Sequence, residues 1–109
     1  MKTFVLMTKM CPQNADIIEV ASKLKNRVRK ESQWLADVKS KCPDVKFLGH
    51  YALLGQWDFM DLYEAPDEET AAVVSLLSRA AGAHQVESWV AIPNNRLMEI
   101  ADTIAPDED

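Results

Sequence analysis

Residues 45–65, "VKFLGHYALLGQWDFMDLYEA", hold two strand-length apolar runs separated by the four residues Gly55–Asp58. No other stretch limits the possible folds as strongly. Two such runs joined by a short glycine-containing turn make an antiparallel hairpin, and apolar strands need further layers to cover them. The flanking sequence supplies those layers. Residues 3–8, "TFVLMT", are another continuous strand-length run, rich in residues that suit a pleated sheet. "KMCPQN" breaks it, because proline fixes its own backbone and pushes Cys11 towards an extended conformation. Leu24, Val28, Glu31, Leu35, Val38 and Cys42 then recur at three- and four-residue spacing up to Pro43, the stripe of an amphipathic helix. Residues 14–22 fit either a separate first turn or the start of one long helix, and Asn14 or Asp16 can cap either.

After the hairpin, "PDEETAAVVSLLSRAAG" reads as a second helix. Pro66 sits near its first turn, three acids sit where the helix dipole favours negative charge, and Gly82 stands at its stop. "AHQVESWVAI" reads as a fourth strand, and "PNNRLMEIADTI" as a short terminal helix. The order β-α-β-β-α-β is the split βαβ, ferredoxin-like arrangement of the α+β class: two helices on one face of a four-stranded antiparallel sheet. It predicts one domain over residues 1–105, with an acidic tail at 106–109.

Composition narrows the functional classes. Apolar residues at 48% and charged residues at 27% exclude a disordered chain. "MKTFVLMTKM" is too short and too soon interrupted by lysine to be a secretory segment, and no run approaches membrane-spanning length. The expected location is therefore cytoplasmic, with Cys11 and Cys42 as free thiols. No CxxC pair, paired-histidine metal spacing, phosphate loop or nucleophile elbow occurs, so neither a metal nor a cofactor is expected. The net charge is −5, yet residues 23–46 hold eight of the twelve basic residues against three acids. A cationic helix on an acidic body, without interleaved aromatics, reads as a solvated face and not as a nucleic-acid surface.

Side chains alternate across a strand, so the hairpin has two readable faces. Phe47, Gly49, Tyr51 and Leu53 lie with Met60, Leu62 and Glu64; this more uniformly apolar set is expected under the helices. Leu48, His50, Ala52 and Leu54 lie with Phe59, Asp61 and Tyr63. That second face is too apolar for water and too polar for a plain core. It is expected to be buried against another copy, giving a homodimer or a higher multiple built sheet to sheet.

The segment "KFLGHYALLGQWDFMDLYEAPDEETA", followed by "AAGAHQVESWVAI", resembles the GYD-domain family. Its marks are the tyrosine-bearing strand, the turn Gly55-Gln56-Trp57-Asp58 with tryptophan in the place of the family's tyrosine, and the strand end Glu64-Ala65-Pro66-Asp67. The resemblance covers residues 46 to 92 well and the first strand loosely; "KMCPQNADIIEVAS" departs from the family's usual threonine-glycine approach to the helix. It implies a dimeric α/β-barrel and carries no general activity with it.

Three polar side chains on the mixed face carry the candidate chemistry. An imidazole near a carboxylate, His50 with Asp61, can act as a general base, and the Tyr63 hydroxyl can polarise a carbonyl or orient a quinol. The plainer account is a buried set that satisfies its own hydrogen bonds. Trp57 is expected at the rim, as a packing lid or an aromatic pocket wall. Gly55 is expected to supply a positive-φ position, and Asp58 an Asx-type bond that fixes the turn. Cys11 and Cys42 read as inert thiols. The function expected is a homodimer that binds a small, mostly apolar ligand between its sheets through Trp57, His50, Asp61 and Tyr63. The alternative is a cofactor-free monooxygenase or isomerase acting on a small carbonyl or phenolic substrate.

Overall fold

The order of elements follows the hydrophobic pattern. The computed structural model describes residues 1–11 and 16–105, with their side chains except at 27–30. It contains β1 (Lys2–Lys9), α1 (Ile17–Lys41), β2 (Lys46–Ala52), β3 (Phe59–Ala65), α2 (Glu68–Ala80), β4 (Gln85–Ala91) and α3 (Asn94–Ile104). The sheet is antiparallel throughout, in the order β2-β3-β1-β4. This is the α+β, βαββαβ arrangement with an additional C-terminal helix. The expected cap at Asn14 and the acidic tail at 106–109 lie outside the described residues.

Local chemistry sets the helix ends. The Asp16 carboxylate accepts a hydrogen bond from the Glu19 amide at 2.8 Å, so α1 is one continuous helix of 25 residues. The Cys42 amide donates to the Val38 carbonyl at 2.7 Å at its other end. In α2 the Asp67 carboxylate accepts from both the amide and the hydroxyl of Thr70. Those bonds, the hydroxyl's first, hold its carboxyl below the usual carboxylate range. Gly82 ends this helix with φ +101°, in the left-handed region.

That last angle corrects an expectation. Gly55 does not have a positive φ, and a Cβ built there meets nothing within 4 Å; the turn does not require glycine at that position. Gly82→Ala is therefore expected to lower stability by about 1–2 kcal/mol, whereas Gly55→Ala should leave it unchanged. The urea midpoints of the two variants, taken at constant slope, check both.

The core lies between the sheet and the two helices. Phe4 and Leu6 of β1, Tyr63 of β3, Trp34 and Val38 of α1 and Val74 of α2 are all buried there. Aromatic rings dominate it. Phe4 stacks on Tyr63 with centroids 5.6 Å apart, while Phe47 tilts against both Tyr63 (5.8 Å) and Trp34 (5.4 Å).

The face assignment made from the sequence is inverted. Phe59, Asp61, Tyr63 and Ala65 alternate as the buried residues of β3, and Tyr63 and Ala65 belong to the helix-side core. The face bearing Met60, Leu62 and Tyr51 is the open one. A bulge also interrupts the parity of β2. Phe47 pairs with Tyr63 but Gly49 pairs with Leu62, which leaves Leu48 as the extra residue. Phe47 therefore joins the helix side with His50, and not the side of Gly49 and Tyr51. By register, the open face gathers Val5 and Met7 of β1 with Met60 and Leu62 of β3, flanked by Tyr51 and Trp89. The last two are 54% and 46% exposed. A Cβ on Gly49 would lie 2.9 Å from the Tyr51 ring, so the missing side chain is what lets that ring lie along the sheet. Both faces are apolar, and only one carries helices.

Candidate functional site

His50 and Asp61 are cross-strand partners in the register of β2 and β3, and alternation puts both on the helix side. Their side chains meet: His50 Nδ1 lies 2.5 Å from Asp61 Oδ1. Asp61 is 1% exposed, yet it occupies a position where a plain core would hold a valine. A carboxylate at such a site needs hydrogen-bonding partners to offset its loss of water. The imidazole is one of them. Its other nitrogen, Nε2, faces Glu31 Oε1 of α1 at 3.5 Å. The ring stacks on Phe59 with centroids 5.4 Å apart and an interplanar angle of 17°. An imidazole thus joins a buried carboxylate on β3 to a half-exposed one on α1. In its protonated form both ring nitrogens can donate, one to each.

Beside this pair is a small apolar cluster of Met10, Cys11 and Phe59, with Val20 and Leu24 of α1 packed against it. Phe59 belongs to both groups, so the imidazole sits at the margin of an apolar patch beneath the first half of α1. The side chain of His50 keeps 35% of its surface exposed.

Tyr63 does not join His50 and Asp61 in a single polar set. Its hydroxyl is buried, without a hydrogen bond of normal geometry, in the aromatic core. Burial pushes the phenol up to about 12; the nearby Ser88 hydroxyl lowers it in part, and the Asp61 carboxylate raises it further. A phenol so placed holds its proton and packs as an aromatic ring. Trp57 is half-buried in the turn between β2 and β3.

Asp58 holds that turn: its carbonyl accepts from the Leu53 amide at 2.9 Å across it, but its side chain makes its bond outside the turn. Its carboxylate accepts from the Met10 amide at 2.7 Å, and its own amide donates to the Thr8 carbonyl at 2.9 Å. It therefore ties the hairpin turn to the end of β1, next to the apolar cluster. Cys11 and Cys42 are free and buried, and burial raises both thiols. Raised thiols are poor nucleophiles. Among the described residues, no group of three or more His, Cys, Asp or Glu side chains is arranged to hold a metal ion, and no helix is long and apolar enough to cross a membrane.

The residue missed in the sequence is Glu31. Its signal was present: it was the one charged member of the apolar stripe running from Leu24 to Cys42. An acid on the buried stripe of a helix has a partner to meet, and here that partner is His50. The three polar residues selected from the hairpin do lie on one face together. That face looks towards the helices, so His50, Asp61 and Tyr63 do not line a space between two sheets.

Known proteins supply the remaining comparison. The search of curated proteins gave no match. Among solved structures the chain is similar to the crystal structure of FFRP-DM1, at a TM-score of 0.48 and 14% identity, over 84% of this chain and 100% of that one. Residues 17–101 match the GYD domain. That match includes the hairpin, its Gly-Gln-Trp-Asp turn, both core helices and most of α3, and the chain accordingly belongs to the GYD-domain family.

Proposed function

We propose that this protein is a homodimer that binds a small, mostly apolar ligand carrying one phenolic, enolic or carboxylic oxygen, and that His50 receives that oxygen. The observation that carries the ligand reading is the asymmetry of the imidazole's two contacts. The Asp61 contact is short and buried, while the Glu31 contact is longer and lies where both side chains are about one-third exposed. The first fixes the ring. The second can be exchanged, so a ligand oxygen can take Nε2 in place of Glu31. The apolar body of such a ligand has Phe59 and the cluster beneath α1 to lie against, which matches how small-molecule sites combine apolar walls with a few polar anchors. Pairing through the open sheet face covers the apolar row from Tyr51 to Trp89. Two free, buried cysteines fit a reducing cytoplasm.

A catalytic use of the same site has one observation in its favour. A carboxylate holding Nδ1 orients an imidazole so that Nε2 faces the substrate, the arrangement of a general base. His50 would take the proton from a phenol or from the carbon beside a carbonyl, and Asp61 would stabilise the imidazolium formed.

The test is a thermal-shift screen of phenols, quinols and short aromatic acids against the wild type, His50→Gln and Glu31→Gln. Ligands that stabilise the wild type should bind at least tenfold more weakly to His50→Gln. Binding to Glu31→Gln should be equal or tighter, because the competing carboxylate is gone. Hits unaffected by His50→Gln would remove the site from His50. Consumption of a hit on incubation would favour the enzyme over the binding protein.

A further inference from the structure

We propose that α3 is an arm that packs on a second copy of this chain and completes the sheet-to-sheet dimer; the inference rests on the dimer reading given above. Three observations on α3 motivate it. The helix has no buried residue and no side-chain cap at its start. Among the described residues its backbone lies close to no other helix or strand of its own protomer, and its contact with the body is confined to an open cleft that Arg96 and Ile100 share with Lys2 and Thr3 of β1, Glu68 of α2 and Val90 and Ala91 of β4. Leu97, Ile100, Ala101 and Ile104 recur at helical spacing, and Ile104 is 81% exposed. An isolated helix of 11 residues is short for independent stability in water, since those below about 12–15 residues are marginal. A capless helix with a bare apolar stripe needs a surface to lie on, and its own protomer provides little.

The occupant follows from continuity and from area. α3 starts three residues after Ala91, which shares the open face with Trp89 by register. Whatever covers that face also meets the arm. A face of four strands spaced about 4.8 Å apart and about 24 Å long spans roughly 450 Å² per protomer, hence about 900 Å² for a pair. That falls below the range of about 1,200–2,000 Å² typical of stable interfaces. A helix about 16 Å long and 10 Å wide, laid on the partner from each side, adds on the order of 600 Å² counted over all surfaces. The sum then reaches standard size. Two-fold symmetry makes the exchange reciprocal, each copy's arm lying on the other. The shape of the single protomer agrees: its radius of gyration is 16.8 Å, against about 13 Å for a compact chain of this length.

The experiment is equilibrium sedimentation of the full chain as wild type, as Leu97→Asp/Ile104→Asp, and as Trp89→Lys on the open face. A dimeric wild type is expected, with the arm variant weakening dimerisation at least tenfold and Trp89→Lys doing likewise. A monomeric wild type at 100 μM overturns the dimer reading, and the arm with it. A dimer that Trp89→Lys breaks but the arm variant leaves unchanged overturns the arm alone. A dimer that only the arm variant breaks overturns the proposal in its stated form, because the arm would then not be completing a sheet-to-sheet pair. Hydrogen exchange on the unmutated chain provides a second readout, should either variant misfold. The amides of α3 should be protected at high concentration and lose that protection on dilution to monomer; protection in α3 that ignores concentration overturns the proposal.

Discussion

Trp34→Ala is expected to lower the unfolding free energy by about 3–5 kcal/mol, the usual cost of deleting a large buried aromatic and leaving a cavity. Trp34 and Val38 are the buried side chains by which the described part of α1 enters the main core. The indole packs on Phe47, which packs on Tyr63, which stacks on Phe4; one deletion therefore loosens rings on α1, β2, β3 and β1 together. A domain of this size has about 5–15 kcal/mol in total, so the variant should sit close to its unfolding threshold at 37 °C. Leu35, the next residue, is exposed, and Leu35→Ala should change stability by less than about 0.5 kcal/mol. Chemical denaturation of both variants, with far-ultraviolet circular dichroism as the probe, checks the pair. A small loss in Trp34→Ala would mean that α1 is held elsewhere.

The second large effect is a loss of stability in alkali that belongs to Tyr63. Burial raises its phenol from an ordinary 10.0 to about 12, so the folded chain keeps the phenolic proton to higher pH than the unfolded chain does. The resulting contribution is fully present below pH 10. It disappears as pH rises towards 12, because the unfolded state sheds its proton first. Two units correspond to a loss on the order of 2–3 kcal/mol across that window. Tyr63→Phe keeps the ring and removes the titrating group. At pH 7 the variant should match the wild type within about 1 kcal/mol, because the hydroxyl has no hydrogen bond of normal geometry to lose. Between pH 10 and 12 the wild type should lose stability relative to the variant. Lysines also titrate there, so the measured quantity is the difference between the two proteins at each pH. Parallel curves would show that the phenol is not buried in solution as described.

The order of elements could be read from the sequence because the elements carry their own patterns and punctuation: proline before α2, glycine after it, and a continuous apolar run of strand length at β1. The orientation of the sheet could not. Val5 and Met7 on one face of β1 are as apolar as Phe4 and Leu6 on the other, so hydrophobicity alone does not indicate which face carries helices. Ring volume was the better guide, since Phe4, Tyr63, Phe47 and Trp34 all gather on the helix side. Asp61 misled in the opposite direction. A carboxylate argues for an open face even with its histidine beside it, while the bulge at Leu48 moves Phe47 onto that histidine's side and so takes an aromatic ring from the face that parity had assigned to the helices. The partnership of His50 with Glu31 crosses from strand to helix, and the helical period that sets Glu31 on the stripe does not say which residue it meets.

The same extra residue bears on how copies of this chain can meet. β2 and β4 are the outer strands, each presenting backbone groups that another chain could extend into a growing sheet. The irregularity between Phe47 and Gly49 puts the amides and carbonyls of β2 out of step with any straight incoming strand. At the other margin, Pro93 lacks an amide and α3 turns the chain away. Fibre-like growth by strand addition is thereby discouraged on both sides, which leaves the open sheet face as the route by which the proposed pair can close.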